Sequence, residues 1–239
     1  VIVLWLNFGK GNSIMIDVYT ANTTNAQRAS IAMLESGLAF TTHHIDLYQS
    51  QHRTPEYLAV NPNGTVPAMT DHDGPGGKPI TLTQSVGIVW YLAEKSGCMM
   101  PESDYERVMV REWSLFLATD LYPPFAAQYY LQWAGIDASD PSLDVFTVTM
   151  NARYKHLDEQ LADHAHVAGP GFSIADVLAY PMSVLAAREF PQIGALPNLR
   201  RWMDELCERP TIAEAMSWFA DSGPGLDKVP EAWTKRLKG

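Results

Sequence analysis

Apolar and polar positions along the chain change their period near residue 98. Before it, short stretches rich in β-branched and aromatic residues alternate with stretches of helical spacing. "MIDVYT" (15–20), "FTTHHIDL" (40–47), "TVPAMTD" (65–71) and "ITLT" (80–83) predict strands. "AQRASIAMLESG" (26–37) predicts a helix closed by Gly37, a residue suited to the left-handed position past a helix end. "TPEYLAVNP" (54–62) predicts a short helical turn, and "QSVGIVWYLAEKSG" (84–97) a helix ending near Gly97. "HDGPGGKP" (72–79) is a Gly/Pro turn. The order is βαβ, a short helix, then ββα. The first part can form a parallel βαβ unit, while the tight turn makes the last two strands antiparallel.

From Tyr105 onward helical spacing dominates. The segment 105–122 predicts a long amphipathic helix that Pro123 and Pro124 break or bend. Further helices are expected over 142–164, 173–189, 198–210 and 211–220. The expected architecture is an α/β domain at 15–97, a linker at 98–104, an all-helical domain at 105–220 and a tail at 221–239 that wraps the surface. Residues 1–14, "VIVLWLNFGKGNSI", read as an extension or leader, because the periodic pattern starts at Met15.

Composition narrows the function classes. The chain has 239 residues, 46% hydrophobic and 18% charged, which suits a globular protein with an ample core. A net charge of −10 gives nucleic-acid binding little electrostatic support. The two cysteines, Cys98 and Cys207, form neither a disulfide framework nor a CxxC, which suits a reducing cytoplasm. The apolar run at the start spans only about six residues, too few for a membrane span. A cytoplasmic protein with no metal, nucleic-acid or membrane partner is expected.

Three stretches carry candidate chemistry. "VYTANTTNAQR" (18–28) reads as a strand end, a polar loop and a helix start, yet after Asp17 it has no cysteine, histidine or carboxylate. In "NPNGTVPAMTD", Pro67 enters a strand directly after Val66. It is either a cis-proline, turning the Val66 N–H and C=O toward an extended peptide, or a trans-proline opening an edge strand. In "LTQSVGIVWYLAEK", Gln84 and Ser85 open a helix whose free N–H groups and positive dipole end suit a carboxylate. Ser85 is either a ligand donor or simply an N-cap.

Together these motifs resemble the glutathione transferase family: a "VPAM" proline, "QS" opening a helix 17 residues later, and a "TTN" strand–helix junction before both. "GPGFSIADVLAYP" is similar to the "SIAD" segment of that family's helical domain, where Ser173 and Asp176 would form a capping box. The resemblance covers residues 15 to about 218 and is greatest to the nu class and its fungal nitrogen-regulator relatives. It implies a thioredoxin-like domain followed by a helical domain, in a homodimer.

The resemblance also implies glutathione as co-substrate, with its cysteinyl backbone on Val66 beside Pro67 and its γ-glutamyl carboxylate on Ser85. Gln84 would contact the same end; many relatives carry glutamate there, so the attraction to the ligand's amine is weaker here. His52 takes the place of a glutamine that contacts the glycyl end in nu-class proteins; it is either a donor there or a solvated loop histidine. Thr65 replaces a lysine or asparagine and is given no strong role. Thr23 and Asn25 match a threonine and an asparagine near the glutathione sulfur, and Thr24 replaces a family proline.

A free thiol titrates near ~8.5, and donors at a helix N-terminus can lower that without a base. Tyr19 is the rival, since some classes use a strand-end tyrosine, though its place in the alternation suits a buried aromatic. No cysteine lies near the first helix, and the nu-class resemblance implies that disulfide exchange is still possible between two bound glutathiones. Within an aromatic span that includes Trp113, Phe116, Phe125 and Trp133, Tyr122, Tyr129 and Tyr130 are the candidates for a hydrophobic acceptor pocket. Conjugation in detoxification, disulfide reduction, aromatic-ether cleavage and non-enzymatic glutathione-binding regulation are the functions left open.

Overall fold

The computed structural model describes residues 15–137 and 139–219. The expectations for 1–14 and for the tail at 221–239 lie outside the described residues. Two compact units are present. One takes the described residues up to Met100 together with those from Arg209 onward, and the other runs from Pro101 to Glu208.

The first unit is built on a four-stranded sheet of β1 (Ile16–Thr20), β2 (Phe40–His44), β3 (Ala68–Asp71) and β4 (Ile80–Leu82), in the order β2-β1-β3-β4. β1 and β2 are parallel, and β3 is antiparallel to both β1 and β4, as the βαβ-ββα pattern requires. Helix α1 (Thr24–Ser36) supplies the crossover, α2 (Pro55–Val60) follows β2, and α3 (Ser85–Ser96) follows β4. This is a thioredoxin-like arrangement.

Alternation along β1 assigns the two faces of the sheet. The Thr20 and Ser30 hydroxyls lie 3.1 Å apart, which places Ile16, Val18 and Thr20 beneath α1. Asp17 and Tyr19 face the other way. There Tyr19 stacks on His43 with centroids 4.7 Å apart and meets Tyr57 of α2 edge-on at 6.0 Å. Tyr19 also packs on a cluster of Ile45, Tyr57 and Ala68.

Helix ends follow local chemistry. α1 starts two residues before the expected 26, because the Thr23 hydroxyl accepts the Ala26 N–H at 3.2 Å and caps the helix. Gly37 (φ 64°) and Gly97 (φ 74°) close α1 and α3 in the left-handed region. Strand β3 begins at Ala68 rather than Thr65. The Thr65 carbonyl is taken by the Tyr57 hydroxyl and Asn61 Nδ2, both at 2.6 Å, so that residue is tied to α2 and its following loop instead of a ladder.

The second unit is helical: α4 (Asp104–Leu115), α5 (Tyr122–Trp133), α6 (Asp144–Asp163), α7 (Ile174–Glu189), α8 (Pro191–Gly194) and α9 (Pro197–Cys207). The expected single helix over 105–122 is instead α4, a π-helical turn (Phe116–Leu121) and the start of α5. Pro123 and Pro124 have no N–H to give the preceding turn, and the wider turn lets the Tyr122 N–H reach the Leu117 carbonyl. At α7 the Ser173–Asp176 capping box is formed. The last helix, α10 (Pro210–Ser217), lies within the stretch expected in the helical domain, but it packs on α1 in the first unit. Arg209 reaches the Glu35 carboxylate through Nε at 3.2 Å and Nη2 at 2.9 Å, and the Thr211 hydroxyl donates to the same carboxylate. Among the described residues no helix is long and apolar enough to cross a membrane.

Candidate functional site

Strand register determines which loops share one end of the sheet. Tyr19 pairs with Ala68 and Met69 with Leu82. One step further along each strand, Thr20 lies beside Pro67, and two steps beyond Leu82 the chain reaches Gln84. The β1–α1 loop with Thr23, the entry to β3 with Val66 and Pro67, and the α3 N-terminus with Ser85 therefore emerge at the same end. β2 runs parallel to β1, with His44 opposite Thr20, so the loop that carries His52 starts there too.

At the first of these loops Thr23 is the N-cap of α1. Its hydroxyl oxygen accepts from Ala26, and its O–H proton still needs an acceptor of its own. Asn25 is half-buried in the first turn, and its Oδ1 accepts from Arg28 Nη1 at 2.8 Å. Arg28 is only 3% exposed. Both candidate donors thus lie at the positive end of the α1 dipole.

At the second loop the Val66–Pro67 peptide is cis. The approach to it is rigid. Asn61 is fully buried, holds the Thr65 carbonyl and, at 3.2 Å, the Thr65 hydroxyl, and accepts the Asn63 N–H at 3.1 Å. Gly64 has φ 58°, and a Cβ there would meet Arg53 Nη1 at 2.7 Å and the His52 carbonyl at 2.8 Å. The loop therefore packs directly on the 3-10 turn Gln51–Arg53, and only glycine fits at the contact. His52 is 3% exposed within that turn, not a solvated loop histidine.

At the α3 N-terminus, Gln84 occupies the N-cap position and is exposed, with no side-chain cap bond. Ser85 is the first helical residue and is buried, so it is not the N-cap. Its N–H belongs to the helix's unsatisfied first turn.

Tyr19, the rival to Thr23 and Asn25, is half-buried one residue before the end of β1. Its ring lies on the α2 face of the sheet, and burial, then the Asp17 charge, push its hydroxyl above the usual tyrosine range. Burial also raises Asp17, but bonds from His43 at 2.8 Å and His72 at 2.7 Å outweigh it and hold the carboxyl low. Among the described residues no group of three or more histidines, cysteines or carboxylates could hold a metal ion. Cys98 lies past the far end of α3, about 18 Å from Ser85 by helix rise.

In the helical unit, Tyr129 is 8% exposed and stacks on Phe125 at 5.9 Å, a core position. Tyr122 is half-buried and Tyr130 exposed, so these two keep accessible surface. Although the residue as a whole is exposed, its hydroxyl end is enclosed, and that enclosure, then the neighbouring Tyr122, raise the Tyr130 hydroxyl well above its ordinary value.

Sequence reasoning passed over Arg28, Tyr57 and Asn61. Arg28 looks like an ordinary helix-surface arginine in "NAQRAS". Asn61 could have been found from "NPNG", since asparagine before a tight turn binds nearby backbone.

The family profile described as the glutathione S-transferase N-terminal domain matches residues 24–95, and that of the C-terminal domain matches 125–210. Disulfide-bond oxidoreductase YfcG of Escherichia coli (strain K12) is 27% identical over 203 residues, covering 84% of this chain and 94% of its own length. Disulfide-bond oxidoreductase YghU of the same organism is 28% identical over 232 residues, covering 90% and 79%. A glutathione transferase family member from Pseudomonas fluorescens pf-5, solved with two glutathiones bound, superimposes with a TM-score of 0.77 at 27% identity, covering 84% of this chain and 92% of that one. A glutathione transferase from Pseudomonas putida, solved with one glutathione disulfide per subunit, gives 0.79 at 25% identity, covering 85% and 91%.

Proposed function

The chain belongs to the glutathione S-transferase family, and from that premise we propose that it binds glutathione at the shared end of the sheet and directs the thiol at an electrophile or a disulfide. The observation that carries the reading is the register that brings the β1–α1 loop, the β3 entry and the α3 N-terminus together. When bound, glutathione supplies the nucleophilic sulfur, which explains a β1–α1 loop without a cysteine, histidine or acid.

Each residue then has a role. Thr23 and Asn25 donate to the thiolate at the α1 N-terminus. Val66, next to Pro67, pairs with the peptide backbone of the ligand. Ser85 receives the γ-glutamyl carboxylate on its N–H and hydroxyl, and exposed Gln84 reaches the same end. His52 stands under the glycyl end, where its enclosure makes it a wall and not a mobile side chain. Tyr122 and Tyr130 offer aromatic surface to a hydrophobic acceptor, with Tyr129 behind them. The YfcG- and YghU-like sequence favours glutathione-dependent disulfide reduction alongside conjugation, and a nu-class assignment with a detoxifying role agrees with it. A homodimer is supported by the exposed stripe of Tyr105, Val108 and Leu115 on α4. The free Cys98 and Cys207 agree with a reducing, cytoplasmic location.

The test is retention on immobilised glutathione, followed by turnover with an aryl halide, hydroxyethyl disulfide and an aromatic β-ether. Retention with turnover of at least one supports the proposal, retention with none points to a regulatory binder, and no retention contradicts it.

A further inference from the structure

We propose that Arg28 is a positioning residue for the sulfur site, holding the Asn25 carboxamide so that its Nδ2 edge is the one presented to the thiol. This rests on the reading of Asn25 as a sulfur donor. Arg28 Nη1 donates to Asn25 Oδ1 at 2.8 Å across one turn of α1. A guanidinium has five N–H donors and no acceptor, so only the oxygen of an amide can face it. The contact therefore decides the flip of the carboxamide and places Nδ2 on the opposite side of Cγ. A thiolate only accepts hydrogen bonds: Nδ2–H stabilises it and Oδ1 repels it. Arg28 selects the competent edge.

The burial of Arg28 supports the same conclusion. Arginine on a surface helix ordinarily keeps its head in water. Here the residue is 3% exposed and lies in the second turn of α1, near the positive end of the dipole. Neither desolvation nor the dipole favours a cation there. Enclosed in this way, the guanidinium has little freedom to leave the Asn25 carboxamide.

The experiment is a pH titration of the ultraviolet thiolate absorbance of the glutathione complex, with steady-state kinetics beside it. Arg28→Met is expected to raise the bound thiol's pKa by roughly 0.7 unit, about a fivefold loss of thiolate near neutral pH. The glutathione KM should move by less than about twofold, because the binding contacts are elsewhere. Arg28→Lys, which keeps a donor-only head, should recover most of the shift. In an Asn25→Ala background, Arg28→Met should add nothing. If Arg28→Met does not fold, Arg28→Gln replaces it: an amide with both a donor and an acceptor edge no longer dictates the flip, so its bound thiol should also titrate higher. A wild-type thiol pKa in the folded variant overturns the assignment, as does an undiminished shift in the Asn25→Ala background. Wild-type protein that binds no glutathione, or leaves its thiol at the free value, overturns the underlying reading as well. A depressed wild-type pKa that the Arg28 variants leave untouched overturns Arg28 alone.

Discussion

The Trp202 indole N–H donates to the Asp176 carboxylate at 2.8 Å, with both side chains fully buried. The same carboxylate accepts the Ser173 N–H at 2.9 Å, the Ser173 hydroxyl at 3.2 Å and the Val167 N–H at 3.0 Å. One buried aspartate side chain thus caps α7, pins the loop before it and anchors α9. Asp176→Ala would leave these donors unmatched in the core and should destabilise by about 3–5 kcal/mol. Denaturant unfolding measures this; a loss below about 1 kcal/mol would mean water or backbone takes over the donors.

Glu35 and Arg209 tie α10 to α1, with the guanidinium at 2.9–3.2 Å and the Thr211 hydroxyl on the same carboxylate. Arg209 is 38% exposed and Glu35 only 11%, so the pair is partly screened. Glu35→Ala should cost about 1–2 kcal/mol. Its signature is faster amide exchange confined to 210–217, and unchanged exchange there would argue that apolar packing alone holds α10.

Asp71 couples stability to pH. Burial raises its carboxyl, but bonds from Lys95 and from the Tyr91 hydroxyl (2.6 Å) outweigh that and hold it below the usual range. A depressed folded value means that its contribution is present above the unfolded pKa of about 3.9 and is lost as pH falls through the folded value. Asp71→Asn should therefore be less stable than wild type at neutral pH, and the gap should narrow as pH falls below about 4 and close only below the depressed folded value. A gap that persists in acid would assign the effect to packing.

The sheet, its mixed direction and the capping box were legible because each rests on local chemistry: alternation, the Gly/Pro turn at 72–79, and serine three residues before aspartate. The π-helical turn before Pro123 was not, because it is a response to missing donors that no pattern encodes. Nor was the docking of α10 on α1, which depends on a pair 174 residues apart in sequence. Of the proposed site, Thr23, Asn25 and the Val66–Pro67 step could be named from the sequence and its family resemblance. Arg28 could not, since its spacing suits an exposed helix face as well as a buried one.

Thr23 separates capping from chemistry. Thr23→Ala removes the bond to the Ala26 N–H and should cost about 1 kcal/mol of stability. Thr23→Ser keeps a hydroxyl for both tasks and should retain both stability and turnover. A serine variant as slow as the alanine one would show that the methyl group, not the hydroxyl, is what the site needs.

The bound thiol itself gives the most direct test. Its pKa in the glutathione complex should lie below the free value of about 8.5 in wild type. It should rise in both Thr23→Ala and Asn25→Ala and stay unchanged in Tyr19→Phe. A pKa that responds only to Tyr19→Phe, or to none of the three, would contradict the claim that donors at the α1 N-terminus activate the sulfur.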